Sequence, residues 1–392
     1  MAEHTTPTTQ FATVATDERP LPLTAGGALA PVTLAYKTYG TLSPARDNAV
    51  LLFHALTGSH HAAGHDPHGP ALPEVRPLWA PENHTGWWDD YIGPGRALDT
   101  SRYFVICATY LGSCYGSTGP NSLDPATNKP YGSRFPWVSI TDVVHANARL
   151  LEQLEIERVH AVVGGSVGGF CATEFALQYP DRVRVVMPIA SGFHTPNPTR
   201  VLNFQQIYAI ESDPNFHEGD YYEAAEQPTR GITMARMIGH MTFVSLKRMQ
   251  GRTEARIVQP EGELSSYRMQ HAMESYILHH ARKFTPRFDA NAYLRILNMW
   301  QGFDVAAQHT KDGNLVPFFA ERCREQTWLL FSIDSDVCFE PAEQYHQAQV
   351  LKQAGVAARY LVVHSDKGHD SFLLDPELYA PQIRAVLDEA QA

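Results

Sequence analysis

Val162-Val163-Gly164-Gly165-Ser166-Val167-Gly168-Gly169-Phe170 holds a serine in a G-x-S-x-G frame, with an apolar run before it and a helical pattern after it. Strand, sharp turn and helix form the context that lifts a serine out as a nucleophile. The turn is tight enough that side chains at Gly164 and Gly168 would collide with neighbouring elements. The amide of Val167, at the start of the helix, favours negative charge on an oxygen bound there. Such a serine attacks acyl carbon, and it needs a base held by an acid. Behind an elbow of this type the chain order is nucleophile, acid, histidine. The apolar run 327–333 leads into Asp334-Ser335-Asp336, and the run 358–363 leads into His364-Ser-Asp-Lys-Gly368-His369-Asp370. His369, in a loop after Gly368, is a better base than His364, which ends the strand. Spacing leaves Asp334 and Asp336 both open as the acid. A second oxyanion donor is expected after an early strand, in His54-Ala-Leu-Thr-Gly58; the N–H of Leu56 is the first choice and that of Thr57 the next.

These residues need a scaffold. Apolar runs at 32–39, 49–55, 103–108, 160–163, 183–190, 327–333 and 358–363 read as strands, several continuous rather than alternating. That pattern suits parallel strands covered on both faces. Helical patterns alternate with them at 139–154, 170–178, 341–354 and 376–390; the first opens on Ser139-Ile-Thr-Asp142, a capping-box pattern. The expectation is an α/β fold with a mostly parallel, doubly wound sheet. From 196 to 312 the alternation stops and helical patterns remain, at 200–211, 233–249 and 265–284. This predicts a core of residues 1–195 and 313–392 with a helical cap, 196–312, over the edge where ligands bind in such sheets.

Other features narrow the function classes. The net charge is −11, and no basic stripe points to nucleic acid. No run of 18 apolar residues predicts a membrane span, and the first residues lack a signal-peptide pattern, so a cytoplasmic protein is expected. Five scattered cysteines fit reduced thiols. Residues 1–10 are expected to fray. His60, His61, His65 and His68 invite a metal reading, but prolines 67, 70, 73, 77 and 81 oppose a helix there, and a solvated loop without metal is expected.

Taken together, His54-Ala-Leu-Thr-Gly58, Gly86-Trp-Trp-Asp89, Ile92-Gly-Pro-Gly95, Leu111-Gly-Ser-Cys-Tyr-Gly-Ser-Thr-Gly-Pro120, the elbow and Gly368-His-Asp-Ser-Phe-Leu373 resemble homoserine O-acyltransferases of the α/β-hydrolase fold. The resemblance runs from about Leu21 to the end, and the 86–120 stretch is its most specific part. It implies Ser166 as nucleophile, Asp336 as acid, since the family's acid follows a serine as in Ser335-Asp336, and His369 as base. It implies Arg236 and Asp370 as contacts to a free amino acid: a guanidinium can grip its carboxylate and a carboxylate can pair with its ammonium. This chain departs from the pattern at Val167, where methionine is usual, and at Val337-Cys338, where many members carry arginine after the acid.

The activity implied is ping-pong transfer of an acetyl group from acetyl-CoA to L-homoserine in methionine biosynthesis. Coenzyme A enters as a substrate, and no cofactor is implied. Acetyl is expected over succinyl because 56–59, Val167 and Val337-Cys338, the segments placed near the acyl group, hold no cation for a second carboxylate. The alternatives are a succinyl-CoA donor, a serine acceptor, or an esterase or thioesterase with the same triad. A catalytically silent binding protein fits less well, because the triad order is complete. The apolar Met234, Met237, Met241 and Phe243 on the insert predict a homodimer formed through the cap.

Overall fold

The computed structural model describes residues 7–251, 257 and 264–390. Its apolar runs pair into one eight-stranded sheet: β1 (Gln10–Ala15), β2 (Val32–Tyr39), β3 (Ala49–Phe53), β4 (Phe104–Ala108), β5 (Val159–Gly165), β6 (Val183–Ile189), β7 (Thr327–Ile333) and β8 (Ala357–Val363). The order across the sheet is β1-β2-β4-β3-β5-β6-β7-β8. Only β2 runs against the rest, pairing antiparallel with β1 and β4. The continuous runs are the covered strands: every residue of β3 and β5 is buried. The first strand read from the sequence begins at 32, so β1 was not expected. It is an edge strand of half-alternating pattern, and just before it the Thr9 hydroxyl bonds the His60 ring at 2.9 Å. Residues 1–6 lie outside the described part.

Helices α1 (Ile140–Gln153) and α2 (Val167–Gln178) follow the expected patterns. Ser139 and Asp142 close a reciprocal capping box on α1. Between β6 and β7 come α3 (Asn197–Glu211), α4 (Thr229–Phe243), α5 (Leu246–Gln250), α6 (Ala272–Phe284), α7 (Ala290–Gly302), α8 (Val305–His309) and α9 (Leu315–Arg322). The chain ends with α10 (Pro341–Gln353), the short α11 (Ser371–Leu374) and α12 (Pro376–Glu389).

Three expectations for the insert need correcting. The run 233–249 is not one helix: Val244 is extended, and Ser245 starts α5 by accepting the Arg248 N–H. The helix expected over 265–284 begins only at Ala272, behind a His271–Glu274 box. And α7 was not foreseen, although Asp289 caps it by accepting from the Ala292 N–H at 2.8 Å and ten of its residues are buried.

The histidine loop is also not simply solvated. His60 and His61 are fully buried. His61 donates to the His84 carbonyl at 3.0 Å and accepts from Lys37, whose ammonium also pairs with Asp66 at 2.6 Å. Burial pushes the His61 imidazole down to about 4, so it stays neutral beside that lysine. All five cysteines are free and buried.

Candidate active site

Because β3, β5, β7 and β8 are parallel, their carboxyl ends deliver His54, Ser166, Asp336 and His369 to the same edge of the sheet. The elbow is built as its glycines require. A Cβ on Gly164 would lie 2.1 Å from the Gly168 carbonyl oxygen, and one on Gly168 would lie 2.4 Å from that of Phe53. Ser166 sits at φ 58°, ψ −124°, a left-handed conformation costly for a residue with a Cβ. Its N–H is tied to the Ile189 carbonyl at 2.9 Å. Val167 is the first residue of α2, so its N–H has no acceptor within the helix and stays available at the positive end of the dipole.

The two aspartates and two histidines sort into separate pairs. Asp334 bonds His364 at 2.8 Å on the surface, where the His364 side chain is 82% exposed. Asp336 bonds Nδ1 of His369 at 2.7 Å in the interior. The other oxygen of Asp336 accepts the N–H groups of Cys338 and Phe339, at 2.7 and 3.0 Å. Nε2 of His369 is buried and has no hydrogen-bond partner among the described residues. Burial alone pushes the His369 imidazole down, but Asp336 outweighs it, with Asp370 adding to the effect, and the imidazole is held above its ordinary range. Phe339 and Phe372 pack on the ring, at 5.6 and 5.5 Å between centroids, and Phe243 from α4 lies 6.1 Å away. The break between α4 and α5 has its reason here. A Cβ on Gly368 would come within 2.5 Å of the Ser245 nitrogen, so the extended turn at 244–245 lies directly on the His369 loop.

Leu56 belongs to a turn closed by the Gly58 N–H on the Ala55 carbonyl at 3.0 Å. His54 holds that turn from beneath. Its Nδ1–H donates to the Ala55 carbonyl at 2.7 Å, and its Nε2 accepts the Tyr110 N–H at 3.2 Å. Burial lowers this imidazole to about 4, which keeps the single tautomer those two bonds need.

A cavity of about 220 Å3 brings together Leu56, Ser166, Arg236, Arg287, His369 and Asp370. Of the seven residues expected as triad members, oxyanion donors or amino-acid contacts, all but Asp336 and Val167 line it; Asp336 lies behind His369, and Val167 is buried at the elbow. Arg236, on α4, lies over the rings of Phe284 and Phe243, at 4.6 and 5.4 Å. Burial pushes the Asp370 carboxyl up despite the opposing charges of His369 and Arg236. An ammonium placed beside it would be matched to this carboxylate.

Val337 and Cys338 do not line the cavity. Val337 is turned toward solvent, and the Cys338 carbonyl accepts from Thr199 at 2.7 Å. Sequence reasoning missed Glu82, Trp87 and Arg287, which do line it. Trp87 had a signal, the Gly86-Trp-Trp-Asp89 motif. Trp87 donates to the Ser59 carbonyl and Trp88 to that of Phe372, both at 2.9 Å, so the motif straps the 54–59 loop to the His369 loop. Arg287 had none, because it arrives from the far end of the insert.

Residues 48–376 match the model of the alpha/beta hydrolase fold family. The chain is 39% identical to a homoserine O-acetyltransferase of Solidesulfovibrio magneticus, covering 97% of this chain and 92% of that protein. It is 40% identical to a homoserine O-succinyltransferase of Azoarcus sp. strain BH72, covering 95% of each. The chain belongs to the homoserine O-acyltransferase family. The crystal structure of homoserine O-acetyltransferase from Bacillus anthracis superposes with a TM-score of 0.83 at 26% identity, over 97% of this chain and 96% of that one. The α/β-hydrolase fold expected from the sequence is therefore the fold of this family. The chemistry supported is that of an enzyme moving an acyl group to homoserine, with relatives named for both the acetyl and the succinyl group. Among the described residues no helix is long and apolar enough to cross a membrane.

Proposed function

We propose that the protein transfers an acyl group from an acyl-CoA to the hydroxyl of L-homoserine through an acyl-Ser166 intermediate. The carrying observation is the buried Asp336–His369 pair, with His369 lining the same cavity as Ser166, Arg236 and Asp370. Nε2 of His369 takes the proton of Ser166 as Oγ attacks the thioester carbonyl. The N–H groups of Val167 and Leu56 hold the oxyanion. The C–S bond breaks, and the CoA sulfur leaves with the proton from His369. The homoserine hydroxyl then gives its proton to His369 and attacks the acyl-serine ester. Ser166 leaves and recovers the proton.

Arg236 holds the carboxylate of homoserine and Asp370 its ammonium, which fixes the hydroxyl against the acyl carbon. Water could take the same place, so transfer depends on positioning and on a cover over the site. The insert, which places Arg236, Phe243 and Arg287 at the cavity, supplies that cover. Val201, Phe204 and Tyr208 on α3 and Met234 and Met241 on α4 are exposed at one-face spacing, which supports pairing of two subunits through the cap. Of the other insert residues expected at that interface, Phe243 is instead buried against His369.

The donor reading changes with the structure. Acetyl was expected because no cation was placed near the acyl group. Arg287 lines the cavity and removes that premise, which favours a donor whose acyl group carries its own carboxylate, such as succinyl-CoA. The test is thiol release from acetyl-CoA and succinyl-CoA with and without homoserine, and with serine in its place. Release that depends on homoserine supports the reading. Equal release without an acceptor would make the protein an esterase or thioesterase.

A further inference from the structure

Arg287 stands in the cavity without a carboxylate of its own. No ion pair joins it to a described residue: Glu82, a lining carboxylate that feels its charge, is paired with Lys283 at 2.8 Å. Its place is fixed from both sides. The guanidinium lies 5.0 Å from the centre of the Phe284 ring, the same ring that carries Arg236. Its backbone carbonyl accepts the Tyr115 hydroxyl at 2.5 Å, and Tyr115 belongs to the glycine-rich 111–120 stretch of the core.

The charges in the cavity can be matched to substrates one by one. Arg236 and Asp370 answer the carboxylate and ammonium of an amino acid. Glu82 and Lys283 answer each other. Arg287 is left without an ion pair among the described residues, on the wall of the cavity that also holds the nucleophile. A cation held in a half-buried site is worth most against an anion delivered to it, and a guanidinium fits a carboxylate bidentately. The phosphates of coenzyme A stand a full pantetheine arm from the thioester, so they are not the anion that reaches a small cavity around Ser166.

We propose that Arg287 is a specificity-determining residue that binds the distal carboxylate of a dicarboxylic acyl group, placing its thioester carbonyl at Ser166. This rests on the acyl-Ser166 reading and deepens it. The chemistry is that of any substrate carboxylate, so the test must separate the donor's from the acceptor's. The two half-reactions do so. Wild type, Arg287→Gln and Arg287→Lys are mixed with acetyl-CoA or succinyl-CoA without acceptor, and the rate of acyl adduct formation is read by intact mass. Homoserine is then added, and discharge is timed.

The expected result is that the succinylation-to-acetylation ratio falls at least tenfold in Arg287→Gln and recovers in part in Arg287→Lys, which keeps the charge and loses the fork. An unchanged ratio, or a wild type that takes acetyl but no succinyl, would overturn the proposal. A loss confined to discharge by homoserine would overturn it in favour of an acceptor contact. No adduct from either donor would instead overturn the acyl-serine reading beneath it. If Arg287→Gln does not fold, the ratio in Arg287→Lys decides alone, with a fall of at least threefold expected.

Discussion

Replacing Asp336 by asparagine keeps the shape and removes the charge, and the surroundings dictate how the amide must lie. One oxygen of Asp336 accepts two backbone N–H groups, from Cys338 and Phe339. In Asp336→Asn the amide oxygen must stay on those donors, since turning the NH2 toward them would leave both unpaired. The NH2 then faces Nδ1 of His369, now 2.7 Å from a carboxylate oxygen. Nδ1 has to accept, its proton moves to Nε2, and the imidazole can no longer take the Ser166 proton. The charge term alone, two unit charges about 4 Å apart at an effective dielectric of about 20, is about 4 kcal/mol, or roughly 10^3 in rate. The wrong tautomer raises the expected loss to on the order of 10^4. The assay is single-turnover acylation of Ser166 by acyl-CoA, with circular dichroism to show that the fold is kept. A loss below about tenfold in a folded variant would refute the assignment of Asp336 as the group that orients the base.

Other outcomes follow from the same geometry. Acylation needs neutral His369; because Asp336 raises this imidazole, the acid limb of the acylation rate should lie above about pH 6.5 and activity should fall as pH drops through it. A limb well below that value would contradict the pairing. Arg236→Lys should cost roughly 1–3 kcal/mol in homoserine kcat/KM and leave Ser166 acylation much less affected, measured in separate half-reactions; equal slowing of both would make Arg236 structural. Light scattering at micromolar concentration should give a dimer mass, and a monomer mass would refute pairing through α3 and α4.

Much of this site could be read in the sequence where the chemistry is local. The elbow declared itself because Gly164 and Gly168 serve contacts within a few residues or with the adjoining strand. The box at Ser139–Asp142 is equally local. What could not be read depends on distant packing. Asp334 and Asp336 flank the same Ser335, and only the turn after β7 sends one outward to His364 and the other inward to His369. Ser245 breaks a plausible helix where the turn at 244–245 lies against Gly368, more than a hundred residues later, whose missing side chain leaves the room. Val337 looked like a wall of the acyl site and faces solvent instead, and Arg287 was invisible because it reaches the cavity from the turn between α6 and α7, far along the chain from the elbow. Helical periodicity was read as helix length at 233–249 and 265–284, yet caps set the true ends.

The central claim is that an acyl group rests on Ser166 and is handed to homoserine rather than to water. Intact mass spectrometry of the protein mixed with acyl-CoA, then chased with homoserine, tests it most directly. The predicted result is an acyl mass on the wild type and none on Ser166→Ala, with homoserine clearing the adduct far faster than buffer and yielding O-acylhomoserine in equal amount. An adduct on Ser166→Ala equal to wild type, or clearance at the same rate in buffer alone, would contradict it.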